Sequence, residues 1–260
     1  MGRIEEKLTA LKNRKKKALV FFLTAGFPNA DSTPHIVAAL ESGGADMVEI
    51  GMPFSDPLAD GPIIQRSSAT ALKNGTTLDT TLDSVCRIRS HSSVPLVLMG
   101  YLNPIVEYGP DKFFQRAHEA GVDGIILPEL PLEEVHRFSN IVATNHLSQI
   151  LLVTPTTASE RIRRIDSASS GFLYCVSTTG VTGSGHGTNV GAYVGHVRNH
   201  ASKNPLLVGF GISTPEDAAT IAQYSDGVII GSALIRQLDR DRSMDELTGW
   251  VGTYRRAIDA

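Results

Sequence analysis

Apolar, β-branched runs recur along the whole chain, separated by stretches in which apolar residues return every three or four positions. The runs predict strands over Leu19–Thr24, Met47–Gly51, Val94–Met99, Gly124–Leu127, Ser148–Val153, Phe172–Val176, Leu206–Gly209 and Gly227–Ile230. The intervening stretches carry helix start and stop signals. Asp31-Ser32-Thr33-Pro34 opens a helix whose inner face is Ile36, Val37 and Leu40 and which Gly43-Gly44 ends. Pro110-Asp111 opens another, with Phe113, Phe114 and Ala117 inward and Gly121 as its stop. The same pattern predicts helices over Glu133–Thr144, Ser159–Ser167, Val190–Ala201, Thr214–Tyr224 and Met244–Ile258. Ahead of the first strand, Ile4, Leu8 and Leu11 stand at helical spacing.

Strands that are apolar throughout need both faces covered, which points to a parallel sheet. Eight strand–helix units in 260 residues predict an α/β fold, a single-domain (β/α)8 TIM barrel over residues 1–260. Its additions are an extra N-terminal helix and extended loops after strands 2 and 6. A doubly wound dinucleotide-binding sheet is the second choice, and it lacks its GxGxxG: Gly183, Gly185 and Gly187 alternate, but position 190 is Val. The interval Gly51–Val94 is long enough for an additional loop and helix, and loops after barrel strands carry active sites.

Composition narrows the class. About 42% hydrophobic residues exclude intrinsic disorder, and two cysteines without a CxxC exclude a disulfide scaffold and make a thiolate metal site improbable. No apolar run approaches the ~20 residues that cross a bilayer, and the charged N-terminus has no signal-peptide core, so a cytoplasmic protein with no membrane partner is expected. A net charge of −3 argues against nucleic acid. One basic cluster, Lys12, Arg14, Lys15, Lys16 and Lys17, reads as the solvated face and last turn of the first helix. The competing reading is contact with an anionic partner.

Three groups of residues carry candidate chemistry. Glu49 lies inside an apolar strand, where burial raises a carboxyl pKa and suits it to acid–base work near neutral pH. The segment Gly51–Pro62 packs three prolines, Asp56 and Asp60 into a stiff loop. Asp60 there either caps the helix that Gly61-Pro62 opens or accepts a hydrogen bond from a ligand N–H. Glycines also cluster after three late strands: Thr178 to Gly183, Gly209 to Ser213, and Gly231-Ser232-Ala233. Barrel phosphate sites form in such loops, at a helix N-terminus whose N–H groups point outward. The stretch Gly183–Gly195 is glycine-rich with few apolar anchors, and reads as a mobile lid; His186 within it is given no role.

At these residues the chain resembles the tryptophan synthase α subunit family. The resemblance is carried by Phe22-Leu-Thr-Ala-Gly-Phe-Pro28, by Glu49-Ile-Gly-Met-Pro-Phe-Ser-Asp-Pro-Leu-Ala-Asp-Gly-Pro62, and by Gly180-Val-Thr-Gly183, Gly209-Phe-Gly-Ile212 and Gly231-Ser-Ala233 in order. It implies a barrel lyase that cleaves indole-3-glycerol phosphate to indole and glyceraldehyde 3-phosphate. Glu49 matches the general acid/base and Asp60 the carboxylate that holds the indole N–H. Tyr174, Phe22 and Tyr101 match aromatic neighbours of the indole pocket. Gly183, Phe210, Gly211, Gly231 and Ser232 match the phosphate cradle, and Thr182 the lid threonine that meets Asp60. Pro53, Asp56 and Pro57 lie on the loop facing a β subunit. No cofactor is implied in this chain; pyridoxal phosphate belongs to the β partner, in an α2β2 assembly. Two departures stand out: Glu129 replaces the usual Asp, and the lid lacks a basic residue before Arg198. A standalone indole-releasing lyase and a non-catalytic activator of a β subunit remain as alternatives; intact Glu49 and Asp60 oppose the second. A sugar-phosphate isomerase or the preceding pathway synthase is also possible, although that synthase requires lysine at strand ends and these strands have none.

Overall fold

The computed structural model describes residues 2–176, 190–209, 211–240 and 243–260. The chain runs α1 (Arg3–Asn13), β1 (Ala18–Thr24), α2 (Ser32–Ser42), β2 (Met47–Gly51), α3 (Pro62–Lys73), α4 (Leu78–Arg89), β3 (Leu96–Met99), α5 (Leu102–Tyr108), α6 (Pro110–Ala120) and β4 (Gly124–Ile126). It continues through α7 (Leu132–Thr144), β5 (Ser148–Val153), α8 (Ser159–Ala168), β6 (Leu173–Val176), α9 (Val190–Arg198), β7 (Leu206–Gly209), α10 (Pro215–Ala222), β8 (Gly227–Ile230), α11 (Ser232–Leu238) and α12 (Met244–Asp259). The strands close in chain order into one parallel barrel, β1 pairing with both β2 and β8. All eight predicted strands are present, with ends displaced by at most two residues.

The barrel follows from the strand period of two. Along β1, Leu19, Phe21 and Leu23 face the helices while Val20 and Phe22 face the lumen. The alternation repeats around the sheet and divides the core in two. One cluster lies between sheet and helices and includes Val48, Ile50, Leu96, Leu98 and Val208. The other fills the lumen with Met47, Val97, Met99, Ile150, Tyr174 and Ile229. Glu49 has the lumen parity, in register between Phe22 of β1 and Val97 of β3. The predicted N-terminal helix is α1; its Ile4, Leu8 and Leu11 join the lumen cluster and close the N-terminal end of the barrel.

The differences from the sequence reading are local. The interval between β2 and β3 holds two helices, α3 and α4, so its length accommodates the additional helix expected there; the second is opened by a reciprocal Thr77–Thr80 capping box. The short helix α5 was not expected, because seven residues containing Pro104 give no periodic pattern. Helix α9 already contains Gly191 and Gly195, so the C-terminal part of the glycine-rich stretch is helical and not lid. The basic cluster is also placed differently: only Lys12 lies in the last turn of α1, and Lys15, Lys16 and Lys17 follow the helix. The segment after β6, with Thr182, Gly183 and His186, lies outside the described residues, as does Phe210.

Candidate active site

Glu49 is wholly buried, and neither carboxyl oxygen has a hydrogen-bond partner among the described residues. Unrelieved desolvation pushes its pKa up to about 8, so at neutral pH it carries a proton. A buried acid with both oxygens unpaired is costly to the fold, which is the pattern expected of a group kept for chemistry.

The aromatic residues of the sequence reading gather around it. Phe22 is adjacent in register, and Tyr174 of β6 stands close enough that the Glu49 charge, after burial, contributes to holding its phenol protonated. Two glycines make room for these rings. A Cβ on Gly51 would lie 2.5 Å from the Phe22 Cζ, and one on Gly209 would lie 2.2 Å from the Tyr174 hydroxyl. Both glycines were read from sequence as strand ends; their roles as clearance for specific side chains depend on the barrel register.

Asp60 ends the loop after β2. The helix-cap alternative does not hold: Gly61 is the N-cap residue of α3 and makes no side-chain cap bond, while Pro62 takes the first turn, where its missing N–H is not needed. The Asp60 carboxylate instead accepts a hydrogen bond from the Tyr101 hydroxyl at 3.1 Å. That hydroxyl in turn accepts from the Ala59 N–H at 3.0 Å, so one phenol holds both ends of the Ala59–Asp60 peptide segment. Burial raises the Asp60 pKa to about 6, the Tyr101 hydrogen bond opposing and the Glu129 charge adding to it. Asp60 is therefore mostly ionised at neutral pH, whereas Glu49 is protonated.

Together Phe22, Gly51, Asp60, Met99 and Tyr101 wall one pocket at the C-terminal mouth, with Ile64 and Ser68 of α3 above them. Helix α3 is tied to the barrel by a buried hydrogen bond between Thr24 and Ser67, 2.6 Å. Sequence reasoning missed this contact and the Ile64 and Ser68 wall; the only available signal was a pair of small polar residues on the inner face of a helix. Glu129, a departure from the family's usual Asp in sequence, has a structural role. Its carboxylate accepts the Leu102 N–H, fixing the start of α5 directly after Tyr101.

Of the phosphate-cradle candidates, Gly211 follows β7 with φ 78°, a left-handed conformation that favours glycine. Gly231 and Ser232 open α11 directly after β8, and a Cβ on Gly231 would lie 3.5 Å from Phe22, so this turn borders the aromatic pocket. Gly183, Phe210 and the lid Thr182 lie outside the described residues. On the loop after β2, Pro53 is buried and Asp56 exposed. Asp56, for which the sequence offered no partner, accepts a hydrogen bond from the neighbouring Ser55 hydroxyl, 2.5 Å. Leu58 beside it is 93% exposed. No group of three or more His, Cys, Asp or Glu side chains suited to a metal ion occurs among the described residues.

A closed β/α barrel with a proton-bearing carboxyl in its lumen and an ionised carboxylate on the adjoining loop, at the C-terminal mouth, has the architecture of a barrel enzyme. The sequence profile of the family described as "Tryptophan synthase alpha chain" matches residues 8–250. The tryptophan synthase alpha chain of Geobacter sp. (strain M21) is 45% identical over 263 residues, covering 99% of this chain and 98% of that one. The crystal structure of tryptophan synthase subunit alpha from Legionella pneumophila str. Paris superposes with a TM-score of 0.92 at 39% identity, covering 100% of this chain and 99% of that chain. A chain of tryptophan synthase from M. tuberculosis, in an open form with BRD0059 bound, matches with a TM-score of 0.90 at 32% identity, covering 100% and 99%. The chain belongs to the tryptophan synthase alpha chain family. It is a carbon–carbon lyase of tryptophan biosynthesis that cleaves indole-3-glycerol phosphate to indole and glyceraldehyde 3-phosphate. The family forms a complex with a β subunit, which holds the pyridoxal phosphate; the alpha chain needs no cofactor of its own.

Proposed function

We propose that Glu49 and Asp60 perform the cleavage as an acid–base pair with divided roles. The observation that carries this is the wholly buried Glu49 carboxyl, without a hydrogen-bond partner among the described residues and held protonated at neutral pH, together with an Asp60 that is ionised there; the charges of both act on Tyr174. Breaking the bond between indole C3 and the glycerol chain needs C3 protonated, so that the ring becomes an electron sink. Glu49 donates that proton. The ring nitrogen then gains positive charge, which ionised Asp60 stabilises from hydrogen-bonding distance of the N–H. Glu49, now a carboxylate in an apolar setting, is a strong base for the glycerol hydroxyl proton, whose removal expels indole and leaves the aldehyde.

Phe22, Tyr101 and Tyr174 would confine the indole. The N–H groups about Gly183, Phe210, Gly211, Gly231 and Ser232 would hold the phosphate, orienting the substrate from a point remote from the reacting bond. Thr182 would close on Asp60 as the lid orders. The Pro53–Asp56–Pro57 loop would face the β subunit in an α2β2 assembly, a reading supported by the exposed Asp56 and Leu58. Residues 1–260 would form one barrel domain, acting in the cytoplasm; closure of the sheet from β1 to β8 supports the first part.

The test is indole release from indole-3-glycerol phosphate by the wild-type chain, E49Q and D60N, with and without a β subunit. Both variants should fold, and E49Q should lose at least 100-fold, within the range of about 10²–10⁴ that general acid–base groups contribute. A loss below tenfold at saturating substrate would move the acid–base role elsewhere.

A further inference from the structure

The face of the barrel opposite Glu49 and Asp60 carries a second concave feature. Beyond α1 the chain makes a left-handed turn at Lys15 (φ 55°), and the Lys16 N–H returns to the Leu11 carbonyl at 2.9 Å. This turn and the segments entering β6, β7 and β8 surround a cleft of about 740 Å³, a volume within the range of small-molecule sites.

The cleft reverses the sign of the protein. The whole chain carries −3, yet Lys12, Lys15, Lys16, Lys17, Arg198 and Lys203 line this one space, against the carboxylates of Glu5 and Asp226. Part of that charge is positioned without being neutralised. The Lys17 ammonium donates to the Ser225 carbonyl at 2.7 Å, and the Lys203 ammonium to the Ser167 and Ser169 carbonyls at 2.8 and 2.6 Å. Lys16 pairs with Asp259 and Arg198 with Asp226. Lys12 and Lys15 form no ion pair among the described residues. Lys15 also occupies the left-handed position after a helix where glycine is favoured, so a lysine there costs stability as well as adding repulsion. A merely solvated surface has no need of either.

We propose that this cleft binds an oligophosphate anion, either inorganic or the phosphate chain of a nucleotide. Several lysines lining one space, Lys12 and Lys15 among them without an ion pair among the described residues, suit a chain of phosphates. No aromatic side chain among the described residues lines the cleft, so they offer no stacking platform for bases of the kind a single-strand nucleic-acid groove uses. The site is independent of the lyase reading, because it lies at the strand N-terminal ends.

The experiment is titration calorimetry with tripolyphosphate, ATP and polyuridylate, with glycerol 3-phosphate in excess throughout to fill the substrate phosphate position. Tripolyphosphate should bind one to one, with affinity falling steeply as salt rises. In K12Q/K15Q it should bind at least tenfold more weakly. K15G should bind more weakly while melting at a higher temperature, which separates ligand contact from fold stability. Tighter binding of ATP assigns the nucleotide, and tighter binding of tripolyphosphate the inorganic chain; either supports the site. Absence of tripolyphosphate binding, binding undiminished in K12Q/K15Q, or binding of polyuridylate alone would overturn it.

Discussion

The Tyr101 hydroxyl and the Asp60 carboxylate are 3.1 Å apart, and the same hydroxyl receives the Ala59 N–H at 3.0 Å. The first bond favours the ionised form of Asp60 while burial favours the neutral form, and the balance puts its pKa at about 6. Tyr101 is thereby both a pocket wall and the group that fixes the position and charge of Asp60. Replacing it with Phe leaves the ring, which lies 5.3 Å from Phe54 between centroids, but removes both hydrogen bonds. Y101F should lose about 10- to 100-fold in kcat/KM, since a hydrogen bond to a charged group is worth about 1.5–3 kcal/mol. Its acid limb should also move to higher pH. A variant with an unmoved acid limb would assign Tyr101 to substrate packing only.

On the proposed roles, the wild-type pH profile follows from the two carboxyls. Asp60 must be ionised, so kcat/KM should fall as pH drops below about 6. Glu49 must start protonated, so it should also fall as pH rises above about 8. A bell centred near neutrality is expected, and E49Q should lack it. Rate measurements in a constant-ionic-strength buffer series from pH 5 to 9.5 check this.

Stability carries a separate signature of Glu49. Burial raises its folded-state pKa from the ordinary 4.5 to about 8. Between those values the folded chain holds a proton that the unfolded chain has released. The Glu49 contribution is therefore fully present below pH 4.5 and declines by about 1.4 kcal/mol per pH unit until pH passes the folded value. E49Q is neutral throughout. Its melting temperature relative to wild type should rise steadily from pH 5 to 8, and parallel curves would mean that Glu49 is ionised in the fold.

Gly209 is tied to the site through Tyr174. Any Cβ there falls on the Tyr174 hydroxyl. G209A should force that ring aside, destabilise by about 1–3 kcal/mol as overpacked core substitutions do, and reduce indole release more than its stability loss explains. Urea denaturation together with steady-state kinetics separates the two effects.

Asp56 and Asp60 share a loop whose prolines make it stiff, so if the loop faces the β subunit as proposed, docking there should reposition Asp60. The coupling is reciprocal in binding and typically about 1–3 kcal/mol. D56A should diminish both the activation of indole release by the β subunit and the tightening of the complex by a substrate analogue, measured by titration calorimetry. Loss of activity in the isolated chain with complex formation unchanged would place Asp56 in the active site instead.

What the sequence determined by itself is periodic or chemically costly. Strands apolar on both faces admit little besides a covered parallel sheet, so the barrel and its strand boundaries are legible. A carboxylate inside such a strand is expensive wherever the strand lies, so Glu49 is legible too. The stiffness of the Pro53–Pro62 loop is written in its prolines. Tertiary structure decided what depends on residues distant in sequence. The choice between cap and acceptor at Asp60 waited for Tyr101, 41 residues away and brought near by the adjacency of β2 and β3. The clearance roles of Gly51 and Gly209 exist only because the register sets Phe22 and Tyr174 beside them. Helix α5, with seven residues and an internal proline, has too little local preference to be read; its first N–H is fixed by Glu129 from the next strand–helix unit. The lysines after α1 look like a solvated helix end until the barrel closes and brings Arg198 and Lys203 across from them. Local pattern is a property of neighbouring residues and survives in a list of letters; a hydrogen bond or a shared cleft between remote residues is set by closure of the chain upon itself.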